Sequence, residues 1–207
     1  MPIEPSFTEH IYAETVDLRN VVTTVCALPN TFSGKLTFVI NNLSAYNTAR
    51  NFVMLHIAAT QEPKLAAELI THLWFSARLP EKMLAIIKER IIPHMDAVLQ
   101  NWPADLEDDE ESTSHLDLGP ARTCDLSMSV SSLELSSMLW IFRADHDVPT
   151  ALAERREVLT DPLGQDFRDL ELAFQQPAWR VSTTRYRKTG VLGPLRANLE
   201  AFTAINP

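Results

Sequence analysis

Between Ile11 and Asn51 the apolar positions read strand, helix, strand, helix, and polar residues gather where each strand ends. Ile11-Tyr12-Ala13 leads into Val16-Asp17-Leu18-Arg19-Asn20. From there apolar residues recur at 18, 21, 22, 25 and 28, the period of a helix. Pro29 and Asn30 stop that helix. Lys35-Leu36-Thr37-Phe38-Val39-Ile40 is β-branched or aromatic, as suits a strand covered on both faces, and it runs into Asn41-Asn42. The next helix spans Ser44 to Thr60 with Ala45, Ala49, Phe52, Val53, Leu55, His56 and Ala59 on or near its inner stripe. Buried parallel strands that end in polar groups place a ligand crevice outside their C-termini. The expected fold class is α/β, a parallel sheet flanked by helices with a helical C-terminal portion.

Helical periodicity continues over Pro63–Ala77 and Pro80–Asn101, with Pro93 expected to kink or split the latter near Ile92. Residues 103–121 break the pattern: an acidic run from Asp105 to Glu111 precedes Ser112, Thr113, Ser114, Gly119 and Pro120. Such a run cannot bury itself and is expected to be a flexible surface loop. Its crowded carboxylates lack the alternating spacing and the glycine of a calcium loop. Thr123–Val130 reads as a short strand, and Ser131 or Ser132 as the cap of a helix with Leu133, Leu135, Met138, Leu139, Ile141 and Phe142. Helical pieces follow at Thr150–Leu159, Leu163–Gln175 and Ala178–Lys188, then an extended tail from Gly190. One domain over 1–207 is expected, with an α/β part at 9–102, the acidic loop at 103–121 and a mostly helical part at 122–207.

Composition narrows the function classes. A formal net charge of −9 disfavours nucleic acid as a partner, because phosphate binding needs a basic field. The negative charge lies before residue 150. The C-terminal part is near neutral and holds a cluster at Arg180, Arg185, Arg187 and Lys188, read as a solvated helix face or an anion groove. Five glycines against thirteen prolines argue against a glycine-rich phosphate site. Cys26 and Cys124 stand in unrelated contexts, with neither zinc spacing nor a disulfide framework, and Cys26 reads as a small core residue. With no signal-peptide pattern and no long apolar run, no membrane association is expected, and an intracellular, cytoplasmic location is expected with the nucleus as alternative.

Three positions could carry chemistry. The turn Glu14-Thr15-Val16-Asp17 lacks the glycines that let backbone approach a phosphate. Asp17 either caps the helix or holds a ligand hydroxyl or amine. Asn41-Asn42 either forms a turn or accepts a hydrogen bond where nucleoside-binding sheets carry an acid. Arg50-Asn51 lies inside the following helix, where Arg50 either pairs with Asp17 or meets an anion. His56 and His72 lie on apolar helices and read as hydrogen-bonded core or boundary residues. No serine sits in a Gly-x-Ser-x-Gly elbow. Trp74, Trp140 and Trp179 recur among apolar residues at helical spacing and read as core.

As a set, several motifs resemble a known group. Asp17-Leu18-Arg19-Asn20, Lys35 to Leu43, Ala49-Arg50-Asn51 and His72-Leu73-Trp74-Phe75-Ser76-Ala77 look like an uncharacterised domain of fungal proteins that often precedes a C-terminal MYND-type zinc finger. They also resemble the N-terminal domain of an axonemal dynein assembly factor. Asp166-Phe167-Arg168-Asp169, Pro177-Ala178-Trp179-Arg180 and Arg185 to Leu192 are similar to later motifs of the fungal group. The resemblance implies a methyltransferase-like (Rossmann-like) fold. It also implies a possible S-adenosylmethionine site at Asp17, Arg19, Asn20, Asn41, Asn42 and Arg50. Val16 and Asn42 depart from the glycine and aspartate usual in that group, and two cysteines cannot make a MYND finger.

The expectation is a non-catalytic protein-interaction module on a degenerate methyltransferase-like scaffold, with no catalytic residue and no metal. Its protein partner is expected on the helices after Pro63 or on the Arg180–Lys188 face. The alternative is an S-adenosylmethionine-dependent enzyme, and the end at Asn206-Pro207 admits a third reading, a fragment of a longer protein.

Overall fold

The computed structural model describes residues 7–13, 18–41, 44–100, 111–116, 126–143, 147–194 and 196–207. It divides into two compact units, Met1–Leu55 and His56–Pro207.

In the first unit β1 (Phe7–Ala13), α1 (Arg19–Ala27), β2 (Lys35–Asn41) and the start of α2 (Ala45–Thr60) follow the order read from the sequence. β1 and β2 pair in parallel, from Phe7 beside Lys35 to Ala13 beside Asn41. Parallel pairing follows from the intervening helix, since a crossover returns the second strand in the direction of the first. Leu18, Val21, Ala49, Phe52, Val53 and Met54 are buried. The α1 stripe is narrower than its periodicity suggested: Val22 and Val25 are exposed, and so is Cys26, which is therefore not a core residue.

The second unit is mostly helical. α3 (Pro63–Phe75) starts on Glu62, whose carboxylate accepts from the Leu65 N–H at 3.1 Å, with proline in the first turn, where its missing N–H costs no hydrogen bond. α4 (Glu81–Ile86) passes through a π-helical turn, Ile87–Ile91, into α5 (Ile92–Gln100). Pro93 explains the π turn. Its ring would press on the carbonyl four residues back in a regular helix, and widening the preceding turn relieves the clash.

β4 (Glu111–Leu116) and β5 (Leu126–Ser131) form an antiparallel pair. The stretch expected to be an acidic loop thus contains a strand at 111–116, and its other residues lie outside the described ones. α6 (Ser132–Arg143) opens on a capping box: Ser131 Oγ accepts from the Glu134 N–H at 3.2 Å, while Glu134 accepts from the Ser131 N–H at 2.9 Å. α7 (Val148–Thr160), α8 (Pro162–Phe174) and α9 (Pro177–Thr189) follow, then a 3-10 turn at Leu199–Ala201. β3 (Arg78–Leu79) pairs antiparallel with β6 (Ala204–Ile205). The core gathers Ile57, Leu69, Leu73, Met83, Ile87, Ile91, Met95, Leu135, Met138, Leu139 and Phe142.

The methyltransferase-like (Rossmann-like) parallel sheet is therefore corrected. Among the described residues the strands form three separate pairs, and only β1 with β2 is parallel. A doubly wound sheet needs further strands reached by further crossovers. After Asn41 the apolar residues recur mainly at helical spacing, so one βαβ unit is followed by helices that pack on helices. Among the described residues no helix is long and apolar enough to cross a membrane.

Candidate functional site

The structure places the expected cofactor residues unevenly. Asp17 and Asn42 lie outside the described residues. Leu18, which has no side-chain acceptor, holds the α1 N-cap position. Arg19 and Asn20 begin α1 and are exposed. Asn41 ends β2 beside Ala13, so the two strand ends lie together. Arg50 is half-buried and donates to Asn47 Oδ1 at 3.3 Å, within its own helix. Its neighbour Asn51 is only 3% exposed, and neither atom of its side-chain amide has a partner. An unmatched buried amide costs about 1–3 kcal/mol, and no apolar pattern in the sequence signals it.

The aromatic residues carry a larger correction. Trp140 and Trp179, read as core, are exposed, and Trp74 is half-buried against Phe75, with ring centroids 5.5 Å apart. On α8, Phe167 is 74%, Leu170 57% and Phe174 86% exposed. Steps of three and then four residues put all three on one face of the helix. α9 starts after a two-residue turn and presents Trp179, 69% exposed, in its first turn. Phe167 and Trp179 lie within the Asp166–Asp169 and Pro177–Arg180 motifs. Periodicity alone could not reveal the face, because a stripe that packs inward and one that faces solvent have the same spacing.

The arginines around this face work as backbone clamps. Arg180 donates to the carbonyls of Ala173 and Gln175, each at 3.2 Å, and so caps the end of α8. Arg185 donates to the Pro194 and Ala197 carbonyls. Arg187 bonds Glu171 at 3.1 Å and reaches the Arg168 carbonyl. Three of the four cations read as an anion groove are thus engaged with the protein's own acceptors.

The end of α9 is fixed in turn by α3 and the tail. Gly190 adopts φ 70°, the left-handed conformation of a helix C-cap, and its N–H donates to the Tyr186 carbonyl at 2.7 Å. Arg155 donates to the carbonyls of Arg187 (2.7 Å) and Tyr186 (3.1 Å). The Tyr186 hydroxyl donates to the Phe75 carbonyl. Ser76 Oγ accepts from the Leu192 N–H at 3.0 Å and lies 2.9 Å from His72 Nδ1. Asn206 Nδ2 donates to the carbonyls of Leu73 (2.9 Å) and Ser76 (2.5 Å). The motifs His72–Ala77 and Arg185–Leu192, distant in sequence, therefore meet.

Residues 5–79 match the family model described as domain of unknown function DUF4470. No curated protein and no solved structure matches the chain. The DUF4470 segment ends at Leu79, the last residue of β3, so the strand that pairs with it, β6, comes from outside the segment. Asn206→Ala is expected to cost about 1–3 kcal/mol, because the carbonyls of the buried residues Leu73 and Ser76 lose their side-chain donor. Urea denaturation measures it, and an unchanged midpoint would show that the tail does not support α3.

Within the DUF4470 segment His56 is fully buried and has partners at both ring nitrogens. Thr60 Oγ1 donates to the His56 carbonyl at 2.7 Å and accepts from Gln61 Nε2 at 3.1 Å. With that hydroxyl proton engaged, His56 Nδ1, 3.3 Å from Thr60 Oγ1, is satisfied as a donor. Nε2 is then an acceptor, and His94 Nδ1 donates to it at 2.8 Å. Burial above all, and then the His94 charge, lower the His56 pKa to about 4. The pKa of His72 is also lowered by burial, against the opposing pull of Glu68. Both histidines are thus hydrogen-bonded to other side chains.

Proposed function

We propose that the protein is a non-catalytic interaction module whose partner binds the aromatic face of α8 and the start of α9. The observation that carries this reading is the exposure of Phe167, Leu170, Phe174 and Trp179 on consecutive helices. Exposed apolar side chains are ordinary singly, but three on one helix face, with a fourth exposed in the first turn of the next helix, suit an interaction surface. Aromatic residues are also the usual anchors of binding energy. Arg180 and Arg187 on α9 bond the Ala173 carbonyl and the Glu171 carboxylate on α8, which ties the two helices to each other. The motif resemblance to domains set beside MYND-type fingers is in keeping with a module that acts alongside others. The S-adenosylmethionine reading rested on a fold analogy that the strand pairing removes, and no observation favours it.

Affinity capture with the tagged full chain tests the proposal. Wild-type protein is expected to retain a stoichiometric partner that the Phe167→Ser/Phe174→Ser variant loses while keeping its circular dichroism. Capture of the same set by both proteins would refute it.

A further inference from the structure

We infer that the end of α3 and β3 form a binding site for an extended peptide segment bearing asparagine, which the chain's own Ala204–Asn206 fills as a releasable strap. None of its residues belongs to the α8 face. When the strap lifts, the site takes a segment of the same chemistry from a partner protein.

The chemistry of the occupant follows from what the site presents. A helix ends on carbonyls that have no donor within the helix. At the end of α3, Asn206 supplies donors from outside: its Nδ2 bonds the carbonyls of Leu73 at 2.9 Å, Ser76 at 2.5 Å and His72 at 3.3 Å. Its backbone N–H donates to the Ala77 carbonyl at 3.1 Å. Just before it, Ile205 pairs with Arg78 and Ala204 with Leu79, so the bound segment is extended. A cluster of acceptors selects a donor. An ionised aspartate has none to give, and a serine or threonine hydroxyl brings one proton where the amide brings two.

Receptor and strap are distinct parts of the chain. Residues 72–79 lie within the DUF4470 segment, whereas the strap lies outside it. On the receptor side Leu73, Ser76 and Leu79 are 1%, 4% and 1% exposed. Among the described residues after Val191, none is buried. The strap is therefore held by hydrogen bonds with little burial behind them, and such segments open at a free energy below that of global unfolding. Its fit is also incomplete, because Asn206 Oδ1 is buried without a partner. Opening returns that oxygen to water, which offsets part of the bonding lost. A free segment then competes with a tethered one for the same site.

The test uses the full chain carrying Asn206→Ala, which loosens the strap and leaves every receptor residue in place. The probe is a labelled peptide of the chain's own residues 199–207. Fluorescence anisotropy is expected to show about tenfold tighter binding to the variant than to the wild type, whose own strap competes. A peptide with alanine in place of the asparagine is expected to bind the variant about tenfold more weakly. Hydrogen exchange of the wild-type chain gives a reading that does not require the variant to fold. The Asn206 N–H is expected to exchange about a hundredfold faster than those of Leu69 and Leu73 inside α3.

A folded variant that ignores the peptide would overturn the site. So would equal affinity for the two peptides, equal affinity of variant and wild type, or sedimentation showing a dimer formed by exchange of straps. Exchange of Asn206 at the rate of α3 would overturn its release, since the strap would then open only with the whole fold.

Discussion

Gly190→Ala is expected to destabilise the protein by about 4 kcal/mol, from two causes that add. The backbone there has φ 70°, which costs a residue with a Cβ about 1–2 kcal/mol. A Cβ at this position would also stand 2.8 Å from Ala77 Cβ and 3.1 Å from Arg155 Nε. Ala77 Cβ is fixed to the backbone and moves only with it, and that backbone is bonded on both sides, its N–H to the Gly190 carbonyl and its carbonyl to the Asn206 N–H. Displacing Arg155 would loosen its bonds to the Tyr186 and Arg187 carbonyls. Such overpacking costs about 1–3 kcal/mol.

Urea unfolding of the variant measures the total, and a loss below about 1 kcal/mol would contradict this account. Gly190→Asn separates the causes, because asparagine tolerates the left-handed region but carries the same Cβ. Recovery of stability with asparagine would assign the loss to the backbone. An equal loss would assign it to the close approach of Ala77.

Acidification is expected to weaken the fold between about pH 6.5 and pH 4, by on the order of 2 kcal/mol through His56. Above pH 6.5 the ring is neutral folded or unfolded, and its contribution is complete. Between the two pKa values the unfolded chain binds a proton that the folded site refuses, so stability falls as pH falls. Below about 4 both states are protonated and the loss is complete. The full shift would be worth about 3 kcal/mol, and partial solvent screening reduces it. Protonation at Nε2 would also set two N–H donors against each other in the His56–His94 contact. His72 contributes with the same sign, its pKa being lowered as well. Unfolding free energies measured across this range check the slope, and His56→Gln is expected to flatten it. A wild-type stability that rises on acidification would contradict the assignment of His56 as a neutral acceptor.

Which of the expected features survived depends on how local their causes are. Caps and prolines act within one turn of their own element. The helix start at Pro63, the cap at Ser131 and the break near Ile92 before Pro93 were read from the residues themselves, whereas the Glu62 cap, the Glu134 half of the capping box and the π form of that break were not. The β1–α1–β2–α2 order was legible for the same reason, as was the hydrogen-bonded placement of His56 and His72 on apolar helices. The extension of β1 and β2 into a whole parallel sheet was not local, since strand pairing joins segments that carry no mark of their partner. β4 and β5 pair with each other. β3 pairs with β6, which lies more than a hundred residues later.

The sequence by itself determined the order of the N-terminal elements, the periods of the helices and the places where helices begin and break, because these follow from short-range sterics and hydrogen bonding. Only the tertiary structure decided which face of each helix meets another. The stripe on α6 holding Leu135, Met138, Leu139 and Phe142 is buried, while Phe167, Leu170 and Phe174 on α8 stay in water at equivalent spacing. Burial is a property of two surfaces together. A periodic stripe specifies one of them, and the presence or absence of the second decides whether it is buried or left in water.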